Sequence, residues 1–148
     1  MSASSVVSLR KALHAALAAD AALAALLGGA RIHDEAPRGA EPPYLTFGDA
    51  RARDWSTGTD KGAEHALVID VWTEHRGGRA SMLIAARVEA LLHDAALTLE
   101  GHRLVNLRFE QAEARREAQG RFSRASLRFR AVTEALPRLV GMLFIGRR

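Results

Sequence analysis

The sequence predicts an α+β domain, a two-layer sandwich in which a mainly antiparallel four-stranded sheet carries two main helices on one face. Three observations lead there. Apolar residues recur at helical spacing in two separated windows, Leu9, Leu13, Ala16 and Leu17 near the start and Ile84, Val88, Leu91 and Leu92 past the middle. Period-two alternation governs four other windows, two before the second helix and two after it, giving the order α-β-β-α-β-β with extended loops. Strands that arrive in consecutive pairs, separated by a helix, favour antiparallel pairing with the helices gathered on one side.

Residues 4–19 form an amphipathic helix because the apolar stripe is embedded in alanine, the strongest helix former. Asp20 follows as the N-cap of a second, short helical piece. Its carboxylate is placed to accept from the amide of Ala22 or Leu23; Leu23, Leu26 and Leu27 supply an apolar edge, and Gly28-Gly29 ends the piece. A single helix from 4 to 27 is the alternative. Residues 30–43 hold three of the four prolines and alternate charge with small residues, which makes them a connector. The first strand begins at Tyr44-Leu45-Thr46-Phe47 and runs to about Ala52, with Leu45 and Phe47 on one face. Residues 53–62 are a polar loop, longer than a tight hairpin needs.

A second strand starts at Glu64, with Leu67, Ile69 and Val71 on one side and Val68, Asp70 and Trp72 on the other. Gly77-Gly78 breaks the chain before the helix at 79–93. The third strand alternates Val105, Leu107 and Phe109 with Leu104, Asn106, Arg108 and Glu110, and residues 111–121 form a hairpin connection, with extended arms as an option. The last strand, 122–132, turns Ala125, Leu127, Phe129 and Ala131 inward and Ser126, Arg128, Arg130 and Val132 outward. The domain is thus 1–133, followed by an apolar and basic C-terminal extension, 134–148.

At 148 residues, 48% hydrophobic and 26% charged, the chain is that of one folded domain and not a disordered segment. The absence of cysteine removes disulfides, thiolate metal sites and cysteine nucleophiles together. No signal peptide is visible, and the oily run Leu139-Val140-Gly141-Met142-Leu143-Phe144-Ile145-Gly146 falls far short of the ~18 residues that span a bilayer. The expectation is a soluble protein made in the cytoplasm, without a membrane partner.

Catalytic, cofactor and metal chemistry find no constellation. His14, His33, His65, His75, His93 and His102 fall on different elements without metal-ligand spacing. His33-Asp34-Glu35 is a compact polar triplet whose neighbouring side chains do not face one another. Gly77-Gly78-Arg79-Ala80-Ser81 lacks the Lys-Ser/Thr of a P-loop, no G-x-S-x-G element exists, and nothing in the spacing of Asp49, Asp54, Asp60, Glu64 and Asp70 demands a paired-carboxylate site.

The charge is more informative. The net +4 divides into −2 over residues 1–99, from 10 basic and 12 acidic side chains, and +6 over residues 100–148, from 11 arginines and 5 acids. Arg115, Arg116, Arg121, Arg124, Arg128 and Arg130 lie along the final hairpin as a plausible phosphate-contacting stripe, the basis for a DNA-binding module. Against it stand the interleaved Glu110, Glu113 and Glu117 and an aromatic content of 5%, with Phe109, Phe122 and Phe129 expected in the core. The sheet face away from the helices would display Asp70, Trp72, Arg108, Glu110, Arg128 and Arg130. Such a face is solvated in a monomer and an interface in an oligomer, where Arg and aromatics are enriched.

The stretch Leu23-Ala24-Ala25-Leu26-Leu27-Gly28-Gly29-Ala30-Arg31-Ile32-His33-Asp34-Glu35-Ala36-Pro37, followed by Pro43-Tyr44-Leu45-Thr46-Phe47-Gly48, resembles the opening of small phage tail proteins similar to the tail terminators, or tail-completion proteins, of long-tailed phages and gene transfer agents. The resemblance continues through Asp54-Trp55-Ser56-Thr57, Val71-Trp72, Leu91-Leu92-His93 and Leu127-Arg128-Phe129-Arg130, covering roughly residues 5–133. It implies a non-enzymatic virion subunit, assembled in the bacterial cytoplasm. Six copies would form a ring that caps the tail tube protein and meets the head-side stopper or adaptor protein, with non-specific contact to DNA passing through the channel. A joining factor at another level of the connector is the alternative. A ring built from heterologous contacts needs two complementary patches per subunit. The residues assigned to subunit or partner contacts are Arg53, Asp54, Trp55, Trp72, Arg115, Arg116, Arg121, Arg128, Arg130, Leu143 and Phe144. Trp55, in a polar loop, either tucks back onto its own domain or anchors in a neighbour.

Overall fold

A computed structural model describes residues 2–74, 76, 78–116 and 121–137. Helices α1 (Ser2–Ala18) and α2 (Ala21–Leu27) open the chain, and α3 (Gly78–Leu92) follows later. The break between α1 and α2 is chemical. Asp20 has extended backbone angles, and its Oδ2 accepts from the Leu23 amide at 2.8 Å. The same carboxylate receives Arg87 of α3, through Nε at 2.9 Å and Nη2 at 2.6 Å. One side chain therefore caps α2 and ties it to α3. Gly28 closes α2 in the left-handed region, φ 78°, a conformation that glycine adopts without the penalty of a Cβ.

The sheet has six strands where the sequence predicts four. Their spatial order is β1-β2-β3-β6-β5-β4, for β1 (Ile32–His33), β2 (Tyr44–Asp54), β3 (Gly62–Glu74), β4 (Thr98–Leu99), β5 (His102–Arg116) and β6 (Phe122–Ala135). Only β1 with β2 is parallel. Strands β1 and β4 have two residues each, too few to print an alternation, so the sequence reads them as connector. With α2 as a third helix, the order becomes α-α-β-β-β-α-β-β-β.

Helices α1, α2 and α3 share one core with one face of the sheet. Leu9, Leu13 and Leu17, then Leu23 and Leu27, then Ile84, Val88 and Leu92 pack with Leu45, Ile69, Val71, Leu107, Leu127 and Phe129. Each such side chain contributes about 1.5–3 kcal/mol by leaving water. The β3–β6 ladder is the spine, running without a register shift through thirteen pairs from Gly62–Glu134 to Glu74–Phe122.

Strand β5 departs from strict alternation at two irregularities, between Leu104 and Asn106 and between Phe109 and Gln111. An added residue reverses the parity of everything before it. Leu104 therefore packs against the core while Val105, expected inside, is 40% exposed. The second shift removes Glu110 from the outward row and sets Gln111 opposite Arg128. Residues 111–116 of the hairpin connection are its extended arm, paired with β6 through Arg116–Ser123.

Candidate subunit interface

Helices cover one face of the sheet, and the register lays out the other in rows across β2, β3, β6 and β5. From one end these are Arg53–Glu64–Val132–Asn106, Arg51–Ala66–Arg130–Arg108, Val68–Arg128–Gln111 on three strands only, Thr46–Asp70–Ser126–Glu113, and Tyr44–Trp72–Arg124–Arg115. A tryptophan held by two arginines stands at one end, an aromatic cluster at the other, and charge fills the middle.

At the first end Glu64 accepts from two arginines, from Arg53 Nε at 2.5 Å and from Arg130 Nε. Those two hydrogen bonds, that from Arg53 foremost, hold its carboxyl below the usual carboxylate range. Both guanidinium groups also lie against the Trp55 ring, at 5.3 and 5.5 Å from its centroid. Trp55 remains 45% exposed. Its polar loop thus turns the ring back toward its own sheet, where two guanidinium groups, both held by Glu64, lie against it and leave much of its surface open.

At the other end Trp72 stacks on Tyr44 at 6.3 Å, meets Phe122 edge-on at 6.4 Å, and has Arg124 at 5.3 Å. Its indole Nε1 donates to Thr46 Oγ1 at 2.9 Å, which sets the ring orientation. Tyr44 is buried, and that burial pushes its phenol above the ordinary value. Between the two ends, Asp70 is buried and accepts from Ser126 Oγ at 2.5 Å. An open trough of about 320 Å³ on the same face is lined by Asp49, Arg51, Val68, Glu110 and Arg128. Among the described residues neither Arg51 nor Arg128 has an ion-pair partner.

The assigned residues separate accordingly. Arg53, Trp55 and Arg130 form one cluster, Trp72 belongs to the second, and Arg128 lies between them. Arg115 and Arg116 end β5, with Arg115 3.7 Å from Glu113, and Arg121 stands 5.9 Å over the Phe122 ring. Asp54 faces the helix side instead, opposite Ala63, where it accepts from Ser56 Oγ at 2.6 Å and borders a polar cavity of about 210 Å³ with Ser5, Lys61, His102 and Thr133. Leu143 and Phe144 lie outside the described residues, as do His75, Gly77 and Glu117.

Glu64, Tyr44 and Phe122 complete the clusters and were not assigned from the sequence. Phe122, expected in the core, stands on the outer face. The signal was present: it shares even-numbered parity with Ser126, Arg128 and Arg130. Among the described residues no three His, Asp or Glu gather to hold a metal, and no helix is long and apolar enough to cross a membrane.

Comparison with known proteins gives three findings. The family model described as tail completion protein gp17 matches residues 11–134. A solved chain from the virion of a native gene transfer agent particle is 37% identical with a TM-score of 0.81, over 88% of this chain and 97% of that one. A second solved structure, 13% identical over 88% of this chain and 94% of the other, shares the fold alone, with a TM-score of 0.56. Among curated proteins nothing matches.

Proposed function

The chain belongs to the tail completion protein gp17 family, and from that premise we propose that it is a tail terminator, a structural subunit whose ring caps the tail tube and joins it to the head-side stopper or adaptor. The coarser statement rests directly on kinship: it is a structural component of a phage-like tail, found in the virion. The observation that carries the reading is the 37% identity to a gene transfer agent virion chain over almost the full length of both. The bare sheet face supports it physically. Aromatic rings held by arginines at both ends, Trp55 at one and Trp72 with Tyr44 and Phe122 at the other, separated by a charged trough, have the composition of a protein interface more than of a solvated sheet.

A ring role assigns the chain no catalytic group. Six copies, contacts with the tube on one side and with the connector on the other, and incidental contact with passing DNA belong to the same proposal. Imaging of assembled particles tests it, with this chain expected as a ring between tube and head. Particles that lack the chain should show tubes of uncontrolled length and unjoined heads, since nothing then stops tube growth. A position elsewhere in the particle, or normal tails without it, overturns the reading; a ring at another level of the connector makes it a joining protein. The stripe of Arg115, Arg116, Arg121 and Arg124 gives the DNA-binding alternative its own measurement, a steep salt dependence of DNA affinity that is lost with those side chains.

A further inference from the structure

Two margins of the sheet are left open, one on each side. Strand β1 pairs with β2 only at Leu45 and Thr46, and β4 pairs with β5 only at His102 and Arg103. Further along β5 the end of α3 occupies the edge: the Asp94 amide donates to the Leu107 carbonyl at 2.8 Å, and the Phe109 amide donates to His93 Nδ1 at 3.0 Å. Beyond those points, residues 50–54 of β2 and 112–116 of β5 have no strand beside them among the described residues. The register fixes which backbone groups face out. The Trp55 amide donates to the Gly62 carbonyl, so the adjoining pair Asp54–Ala63 exchanges no hydrogen bonds, and Ala50, Ala52 and Asp54 turn their N–H and C=O away from β3. On β5, Ala112, Ala114 and Arg116 stand opposite Leu127, Ala125 and Ser123 as Phe109 stands opposite Phe129, and like Phe109 they turn theirs outward. Such a row of backbone groups is a template for another strand, and monomers blunt it with proline, lysine or a covering element. Residues 50–54, Ala-Arg-Ala-Arg-Asp, and 112–116, Ala-Glu-Ala-Arg-Arg, hold neither proline nor lysine, and every one of them is exposed.

We infer that neighbouring copies of this chain join their sheets edge to edge, the open β2 edge of one copy pairing antiparallel with the open β5 edge of the next. The occupant is a second copy because one chain carries both halves of the match. Strands β2 and β5 run in opposite directions across the sheet, so copies in the same orientation bring them together antiparallel. With Ala52 opposite Ala112, the outward backbones face each other and Ala50 falls opposite Ala114; on the bare face Asp49 meets Arg115 and Arg51 meets Glu113. Residues 49–54 and 110–116 are each net neutral, so position and not total charge sets the fit. Sliding by two residues destroys it, setting Arg51 against Arg115 one way and Asp49 against Glu113 the other. Within one chain Asp49 and Arg51 have no ion-pair partner among the described residues, and Glu113 reaches only its own Arg115, at 3.7 Å.

The same register closes geometrically. Ala52 stands level with Ala131, and Ala112 with Leu127, four residues away along β6. The next copy is therefore displaced by about 13 Å along the strands for a width of about 19 Å across β2, β3, β6 and β5. That is a slant of about 35°, within the tilt of strands in closed barrels. The contact is also heterologous, a different edge on each partner, as a ring requires. The inference rests on the ring reading above and names the contact that builds it.

Proline at an outward amide removes a donor that the chain's own ladder does not use. Ala52→Pro and Ala114→Pro, each in the full chain, should raise the concentration for half-assembly by light scattering at least about tenfold. Arg51→Glu and Glu113→Arg should each do the same, because like charges then oppose, and the chain carrying both should assemble as the parent does. If a proline variant melts early, the charge swap and a cross-link decide, since both leave the backbone intact. The chain has no cysteine, so Ala52→Cys and Ala112→Cys chains, mixed, bring one thiol each. They should oxidise to a cross-linked dimer, the Cα atoms of such a pair standing about 5.5 Å apart; Ala52→Cys mixed with Arg116→Cys should not.

If the parent chain assembles while the charge variants assemble equally well and no cross-link forms, the edge pairing is wrong and the ring reading stands. A cross-link through Arg116→Cys but not through Ala112→Cys contradicts the register and overturns the inference too. A parent chain that stays monomeric at every concentration removes the ring reading itself, and this contact with it.

Discussion

Trp55 shows how a single residue can be preset for contact. The ring is held by Arg53 and Arg130, which Glu64 holds in turn, so a partner that covered it would find little rotamer freedom left to freeze. Replacing Trp55 with Ala should raise the concentration for self-association by about tenfold or more and leave the denaturation midpoint of the isolated chain almost unchanged; equal assembly of the two would show that the ring is not an anchor. His65 is a different case. It is buried beside Thr133, Nε2 to Oγ1 3.0 Å, and burial first, then the neighbouring His102, pushes its pKa below the ordinary value. A histidine held neutral in the fold makes the unfolded chain the better proton binder. Stability should therefore decline as the pH falls below about 6.5, the ordinary histidine value. Denaturation curves at pH 7.5 and 5.5 check this, and His65→Gln should flatten the difference. Glu64 acts lower on the scale. Its depressed carboxyl contributes above the ordinary carboxylate range, and that contribution fades as acid titrates through the lowered value.

At the level of elements, Asp20 performs two tasks that can be separated. Asn caps a helix about as well as Asp but carries no charge for Arg87. Asp20→Asn should lower the melting temperature, and Asp20→Ala should lower it further; equal effects would mean that the cap contributes nothing beyond the ion pair. The sheet's centre is less forgiving. Phe129 is fully buried and packs edge-on against Phe109 at 5.7 Å, so Phe129→Ala should cost about 3–5 kcal/mol in chemical denaturation. These elements also show what the sequence discloses. The Asp20 cap, the Gly28 stop and the inward series Leu67-Ile69-Val71 were legible because each rests on local chemistry or unbroken parity. The shifts in β5 were not, since an extra residue is decided by how β5 and β6 mate and leaves no local mark. Glu64 was visible only as one carboxylate among several near a hairpin; its partner Arg130 lies 66 residues away and comes alongside only through the β3–β6 ladder.

For the whole molecule, charge that is segregated along the chain is brought together in the sheet, where Arg130 of β6 meets Glu64 of β3. Seven of the eleven arginines beyond residue 100 lie in β5 and β6, where Arg130 is tied to Glu64 and Arg103 to Glu134. Beyond Pro137 the sequence is rich in Leu, Val, Met, Phe and Ile. We expect that deleting residues 137–148 leaves a folded domain with an unaltered melting curve but impairs ring assembly, because so apolar a segment is best accounted for as a contact. Truncated chains that still build functional particles would refute this. The unbroken β3–β6 ladder has a mechanical consequence. A pull applied along the strands, between the two hairpins, loads all its rungs in shear at once, whereas a pull across the strands peels them one by one. A partner that gripped the subunit at its two ends would therefore pull along the stiff axis of the sheet.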